Sequence, residues 1–336
     1  MIYKSIDELK IGDINTKTIF SSSGVPLLKE QVVLTIGIIS KLRNLGVKGL
    51  YIYDERFANI KVDEMVSDET KMNTLIGLSD VVRFLHSKRV VNPQFILNHI
   101  DKISSEIIVN RELLLSLTDI RTSENHSFVH AINVAIVSIT IAMTFNFTSS
   151  EIKQLATAAL LHELIDVSQP IKGVHLDEDV HKILKRFNTI DSNIQFIHNE
   201  KKVIDQFLVP NSNTVTQLSA EIIALSDYYD SLISPFSLIG PYLPHESCEF
   251  LMGFCNKAFR IDLVQAFLKL VSVYPNGYTV RLENGKLGIV SRQNPKLPMR
   301  PFIQLLSNSH SLNEATVTEE VDLALVTTLF IKQIVK

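Results

Sequence analysis

The sequence predicts a mainly α-helical protein with a small α/β unit at its N-terminal end and a small β-rich extension at its C-terminal end. Apolar residues recur at three- and four-residue spacing through most of the chain, as in packed helices. A β-rich run, LYIYD, follows the first helical pattern, and from Tyr278 the pattern changes to alternation. We therefore expect an α/β unit at 1–60, a helical connector at 61–116, a helical domain at 117–272 and a β-rich extension at 273–336.

The N-terminal unit is predicted to contain one helix followed by a strand. From about Val32 to Leu45 the apolar residues follow the spacing of an amphipathic helix. Gly46 is expected to end this helix, because glycine readily adopts the left-handed conformation that commonly follows a helix. The run LYIYD then supplies a strand.

Helices are predicted through the central part of the chain. Pro93 is expected to open a helix in the connector, because proline is favoured at the first helical position. In the helical domain, Ala131 to Phe145 forms one buried helix. A second begins with Ser149 or Ser150 as its N-cap, and Glu151 supplies negative charge to its first turn. The segments AEIIALSDYYDSLI and VQAFLKLVSVYP supply two more helices.

The C-terminal extension carries a hairpin signal. The segment TVRLENGKLGIVSR alternates between apolar and polar residues on either side of Asn284-Gly285. Asn-Gly is the strongest short-range signal for a tight β-turn. The sequence therefore predicts a small β appendage at the C-terminal end.

Composition and charge limit the classes of partner. The chain has 336 residues, of which 46% are hydrophobic and 21% charged, and its formal net charge is −3. These proportions are ordinary for a packed globular protein. No basic field is available to attract nucleic acid or anionic lipid. We therefore expect neither DNA nor RNA as a partner.

The cysteines and the apolar runs bear on the compartment. Cys248 and Cys255 lie seven residues apart in an apolar stretch with a helical pattern, too far for a bridge, and are expected to stay reduced. The first residues carry charges throughout and lack the apolar core of a signal peptide. The longest apolar run, Ala131 to Phe145, is shorter than the roughly 20 residues of a membrane span. These features predict a cytoplasmic protein without a membrane span.

Histidines and carboxylates with helical spacing are the candidates for chemistry. His126 and His130 share one face of a helix, as do Asp227 and Asp230. Imidazole and carboxylate on separate helices can form a hydrolytic metal site. Each alone can equally be a satisfied core residue or a charge on a helix face. A zinc-protease HExxH motif is excluded, because no second histidine follows His162-Glu163 at the required spacing.

The order of these residues resembles a known family. His130, then His162 with an acidic neighbour, then Asp227 is similar to the H…HD…D order of the HD phosphohydrolases. The segments HSFVHAINVAIVSITIA, LATAALLHELID, AEIIALSDYYDSLIS and FRIDLVQAFLKLVSVYPNGYTVRLENGKLGIV closely resemble motifs of the HD-GYP branch. The N-terminal segment also resembles the leader common in that family, so the resemblance covers nearly the whole chain.

The resemblance implies an HD-type helical bundle and a metal-dependent site. The family hydrolyses cyclic di-GMP with two or three bridged metals, commonly iron or manganese. The family's metal-binding positions fall on six residues here: His126, His130, His162, Glu163, His198 and Asp227. One divalent metal (iron, manganese or zinc) could be held by four of them: His130, His162, Glu163 and Asp227. The alternative is a closed network of hydrogen bonds without metal.

The chain departs from the family pattern at further ligand positions and on the substrate side. Phe187 and Asn199 replace two histidines, and Asp166 replaces a lysine. The GYP triplet falls on Gln206 to Leu208 and the RPYR segment on Phe236 to Ile239. These losses predict a degenerate signalling protein with weak or no hydrolysis, which binds a protein partner, a second copy of itself or a cyclic dinucleotide. An active phosphodiesterase acting on cyclic di-GMP or another phosphoester is the alternative.

Overall fold

The computed structural model describes residues 1–86, 93–162, 218–307 and 315–335. Within these ranges it shows a mainly helical protein with strands near both ends, in agreement with the predicted fold class. The N-terminal strands are β1 (Ile2–Ser5), β2 (Ile14–Asn15), β3 (Ile19–Phe20), β4 (Pro26–Leu28) and β5 (Gly49–Tyr53). The helices are α1 (Ile36–Asn44), α2 (Asp68–His86), α3 (Pro93–Val109), α4 (His126–Thr144), α5 (Ser149–Leu161), α6 (Leu218–Ile233), α7 (Pro244–Gly253) and α8 (Ile261–Leu270). The C-terminal strands are β6 (Thr279–Leu282), β7 (Leu287–Arg292), β8 (Phe302–Leu306), β9 (Val317–Asp322) and β10 (Ile331–Ile334).

The N-terminal strands form an antiparallel sheet in the order β1-β5-β2 and a separate pair, β3-β4. Helix α1 begins later than the apolar spacing predicted. Val33 forms a β-bridge with Ile14, and the Leu34 amide donates to the Asp13 carbonyl at 2.7 Å, so these residues extend the strands. Thr35 then caps the helix by accepting from the Ile38 amide. Gly46 follows the helix with φ +79°, as expected of a residue that ends it.

Helix α4 occupies the centre of the helical core. All its residues from Val129 to Ala142 are buried, and it packs against α2, α3, α5, α6 and α8. Of the helices described, this one alone is long and apolar enough to cross a membrane, but 78% of its apolar window is buried inside the protein. A core helix can have the same length and composition, and the burial of this helix is typical of one. The helix begins at His126, one turn before the predicted apolar run at Ala131.

Three details of the remaining helices differ from the sequence predictions. Thr148, rather than Ser149 or Ser150, caps α5, and its side chain and that of Glu151 form a reciprocal capping box. Helix α8 ends at Leu270, because Val271 is extended and pairs with the chain near Leu115. Both cysteines are free, but Cys255 lies beyond the end of α7 instead of inside a helix.

The C-terminal strands form an antiparallel sheet in the order β10-β6-β7-β8-β9. The predicted hairpin joins β6 to β7, and Gly285 has the φ of +82° that its turn requires. Val280 and Val290 join the core of the helical bundle, whereas Leu287 and Ile289 pack with Ile2 of the N-terminal unit. The sheet therefore contributes to two apolar clusters.

Candidate metal centre

Three of the predicted ligands meet at the centre of the helical core. His130 lies one turn into α4, His162 follows the last residue of α5, and Asp227 lies in the middle of α6. His130 Nε2 is 3.2 Å from His162 Nε2 and 3.1 Å from Asp227 Oδ1. His162 Nε2 is 4.0 Å from the same oxygen. Ligands bound at about 2.1 Å to one metal are separated by roughly 3–4 Å, so these distances suit a shared ion.

The opposite nitrogen of each imidazole fixes which way the ring faces. His130 Nδ1 lies 2.6 Å from Asp230 Oδ2, and His162 Nδ1 lies 2.6 Å from the Ala159 carbonyl oxygen. Both partners accept hydrogen bonds only, so each Nδ1 carries the proton. In the neutral rings each Nε2 is then an unprotonated acceptor. Two imidazole lone pairs and one carboxylate face one another, and a cation satisfies such a cluster.

Asp230 fixes the His130 ring through Nδ1, on the side opposite the nitrogen that faces Asp227. Its carboxylate is 0% exposed and accepts hydrogen bonds from both terminal nitrogens of Arg121 and from Asn133 Nδ2 at 3.1 Å. Burial alone would raise the pKa of Asp230, but Arg121 and His130 lower it to about 2. The ionised carboxylate keeps the proton on His130 Nδ1 and makes Nε2 a better ligand.

The other predicted ligands are not placed in this cluster. His126 is the first residue of α4, and its ring stacks on Phe236 at a centroid distance of 4.9 Å. The group of three candidate ligands contains His130, His162 and Asp227 without it. Glu163 and His198 lie outside the described residues. The metal-binding role of all six residues remains a prediction.

The structure adds functional residues that the sequence analysis had not assigned. Asp230 was noted only as sharing a helix face with Asp227, yet it contacts the opposite nitrogen of the same imidazole. Arg121 and Asn133 complete its surroundings. A signal for Asn133 was available, because it is an amide inside an otherwise apolar stretch of α4. A buried amide in that position requires a hydrogen-bonding partner.

Comparisons with known proteins found the following similarities. A family model described as "KOW domain associated with HD domain" matches residues 279–336, which is the C-terminal sheet. A curated relative, "Cyclic di-GMP phosphodiesterase PA4108" of Pseudomonas aeruginosa, is 25% identical over 232 residues, or 63% of this chain. The chain spans 55% of that relative's length. Among solved structures, the HDG"Y"P protein Bd1817 from Bdellovibrio bacteriovorus covers 79% of this chain and 97% of its own, with 15% identity and a TM-score of 0.37.

The helical core carries a cluster of two histidines and an aspartate, and residues 279–336 are similar to a KOW domain associated with HD domains. The match of residues 279–336 and the 25% identity to the Pseudomonas relative are similarities to HD-GYP proteins.

Proposed function

We propose that this protein is a degenerate HD-GYP protein that retains a metal site, hydrolyses cyclic di-GMP weakly or not at all, and acts by binding and regulation. The observation that carries the proposal is a contrast between two parts of the site. The ligand atoms of His130, His162 and Asp227 lie within 4.8 Å of one another, which supports a retained metal-binding part. The sequence positions for substrate binding hold Asp166 and Gln206 to Leu208 instead of the family's lysine and GYP triplet.

The residues of the cluster fit a divalent transition metal. Two neutral imidazoles and a carboxylate are suitable ligands for iron, manganese or zinc. A bound metal of this kind supplies Lewis acidity and a hydroxide nucleophile near neutral pH. His130 and His162 would bind the ion through Nε2, Asp227 would add negative charge, and Asp230 holds the His130 proton on Nδ1.

Charge at the substrate side is the proposed reason for weak hydrolysis. Phosphoryl transfer depends on cations placed where negative charge develops. The family's lysine after the HD motif corresponds to Asp166, and the arginine-containing RPYR segment corresponds to Phe236 to Ile239. A carboxylate in place of the lysine repels a dianionic dinucleotide. A cyclic dinucleotide remains the proposed ligand class, and the loss of these cations is expected to weaken both its binding and its turnover.

Turnover and metal content test this proposal together. We expect cyclic di-GMP hydrolysis at least about 100-fold slower than by an intact family member, because one lost charge-stabilising group typically costs about 10²–10³. Elemental analysis should find about one metal per chain, reduced in His162→Ala and unchanged in the matched variant His99→Gln on α3. Turnover of about 1–10 s⁻¹ in manganese or ferrous buffer, abolished by His162→Ala, would establish the active phosphodiesterase instead.

Chelation distinguishes a structural metal from a hydrogen-bond network. If a metal satisfies the cluster, a chelator should lower the melting temperature, and added manganese or zinc should restore it. If His130, His162 and Asp227 form a closed network, protein shown to be metal-free should melt unchanged after chelation. A network without metal needs a proton on one Nε2, which Asp227 accepts, so Asp227→Ala should still destabilise the protein by leaving that donor unpaired. We expect the metal-dependent result.

The proposal extends to location and assembly. Two free cysteines, Cys248 and Cys255, suit the reducing conditions of the cytoplasm, which is the compartment we propose. A protein without efficient turnover must transmit its state by contact. A protein partner or a second copy of this chain is therefore the proposed recipient of the signal.

A further inference from the structure

A second polar site, distinct from the histidine cluster, lies at the boundary between the N-terminal unit and the helical core. It is a cavity of about 50 Å³. Its charged lining residues include Lys17 from the N-terminal unit, Lys71 from α2 and Asp119 from the segment before α4. At roughly 10–15 Å³ per water-sized probe, the space holds about three to five water molecules or one small organic group.

Asn133 lines this cavity and has an unsatisfied acceptor. The side chain is 1% exposed, and its Nδ2 donates to Asp230 Oδ1 at 3.1 Å. Because a carboxylate only accepts, this contact determines the orientation of the amide and leaves Oδ1 on the other side. Oδ1 is buried and has no hydrogen-bond partner among the residues that the structure describes. Such an atom is costly unless a bound donor satisfies it.

Asp119 supplies a second acceptor of the same kind. Its Oδ1 accepts from Lys71 Nζ at 3.0 Å. Its Oδ2 is buried and, within the described ranges, receives no hydrogen bond. Two separate residues that line one cavity therefore each present an oxygen that can only accept.

The charged groups around the cavity carry one more negative charge than positive charge, which favours binding of one cation. Glu64 accepts from Lys71 Nζ at 2.8 Å and from Lys17 Nζ. Its oxygens lie within 4.8 Å of those of Asp68 and Asp119, so three carboxylates stand against two ammonium groups. Desolvation of the carboxyl group raises the pKa of Asp68 to about 6. The residue as a whole is exposed at the edge of the cavity. At neutral pH the cluster thus carries a net charge of about −1.

We propose that this cavity binds the primary ammonium group of a small aliphatic amine, which donates to Asn133 Oδ1 and Asp119 Oδ2. An ammonium group carries one positive charge and three donors, whereas an anion would meet unsatisfied acceptors. The apolar lining, which includes Met72, suits the ligand's carbon atoms. Because the Asn133 amide also holds Asp230 behind His130, occupancy is linked to the histidine cluster. The site stands independently of whether the protein hydrolyses a cyclic dinucleotide.

Methylammonium is a suitable probe, and tetramethylammonium, which is larger and has no N–H donor, is the comparison at equal chloride concentration. For the full chain we expect methylammonium to raise the melting temperature saturably by about 2–4 °C, and tetramethylammonium to have no saturable effect. Calorimetric titration should give one site per chain. Equal responses to the two cations, or no saturable response to methylammonium up to about 100 mM, would show that the cavity holds water only.

Variants locate the binding. Asp119→Asn keeps the size of the side chain but removes the charge, and it should abolish the saturable response. Asp101→Asn, which removes a carboxylate from an exposed ion pair with Lys153, should leave it unchanged. If Asp119→Asn does not fold, Met72→Phe provides the same test by filling the cavity without altering any charge. A response that persists in both cavity variants overturns the proposal.

Discussion

Replacing Asp230 by alanine is expected to lower the free energy of unfolding by about 3–5 kcal/mol, because it leaves a buried guanidinium without its counter-ion. Arg121 is 7% exposed, and both its terminal nitrogens bind the Asp230 carboxylate. The substitution also removes the acceptor for Asn133 Nδ2 and His130 Nδ1. Urea denaturation measured at neutral pH gives the change directly, as a shift of the midpoint at constant slope.

A matched control separates burial from ion pairing itself. Asp262 binds Arg260 through two contacts of 2.7 Å, but both side chains are about half exposed. Asp262→Ala should cost less than about 1 kcal/mol, as surface pairs do. The double variant Arg121→Leu/Asp230→Leu should recover part of the loss, because apolar residues can replace a buried ion pair. A cost for Asp230→Ala no larger than that of the control would contradict the assigned role.

The same residue should affect metal binding. Groups that orient a ligating histidine typically change metal affinity by about 10–100-fold when removed. Asp230→Asn keeps the size of the side chain but removes the charge that holds the proton on His130 Nδ1. Weaker binding of manganese or zinc to folded Asp230→Asn would therefore show that Asp230 positions His130. A stability effect alone would not change the metal affinity of the folded fraction.

Glu64→Gln is expected to be the other large loss, of about 3 kcal/mol or more, because Glu64 is the shared partner of two nearly buried ammonium groups. Lys71 donates to it at 2.8 Å, and Lys17 also binds it. Lys17 belongs to the N-terminal unit, Glu64 precedes α2 and Lys71 lies in α2, so the two contacts of Glu64 join that unit to the helix. Thermal or urea unfolding should show the loss. The control Asp7→Asn, from an exposed pair with Arg43, should change stability by less than about 1 kcal/mol.

The effect of Glu64 should also depend on pH. Burial alone would raise the pKa of Glu64, but Lys71 and Lys17 lower it well below its ordinary value of 4.5. A carboxyl whose pKa is lower in the folded state contributes stability that is present above the unfolded pKa and lost as pH falls below it. Below about pH 4.5 the wild-type protein should therefore lose stability more steeply than Glu64→Gln. Parallel pH profiles would rule out an ionised Glu64 in the folded protein.

Local sequence signals were sufficient for most of the helices and for the C-terminal hairpin. Hydrophobic spacing and Pro93 located α3, and Asn284-Gly285 located the turn between β6 and β7. These features depend on residues within a few positions of one another, so a single sequence contains the information. Helix boundaries were less accurate, as at Thr148 and Val33, because the capping atom or the strand partner decides them.

The sequence also determined that His130, His162 and Asp227 belong together, through their order and the motifs around them. The resemblance selected Asp227 as a ligand, but only the tertiary structure showed what Asp230 contacts. One turn of α6 separates them, yet they contact opposite nitrogens of the His130 ring. The tertiary structure also showed that the His126 ring stacks on Phe236 and that Lys17 binds Glu64, 47 residues away in the sequence. These contacts depend on the packing angle between helices and on chain segments distant in sequence, and no local pattern of residues encodes either.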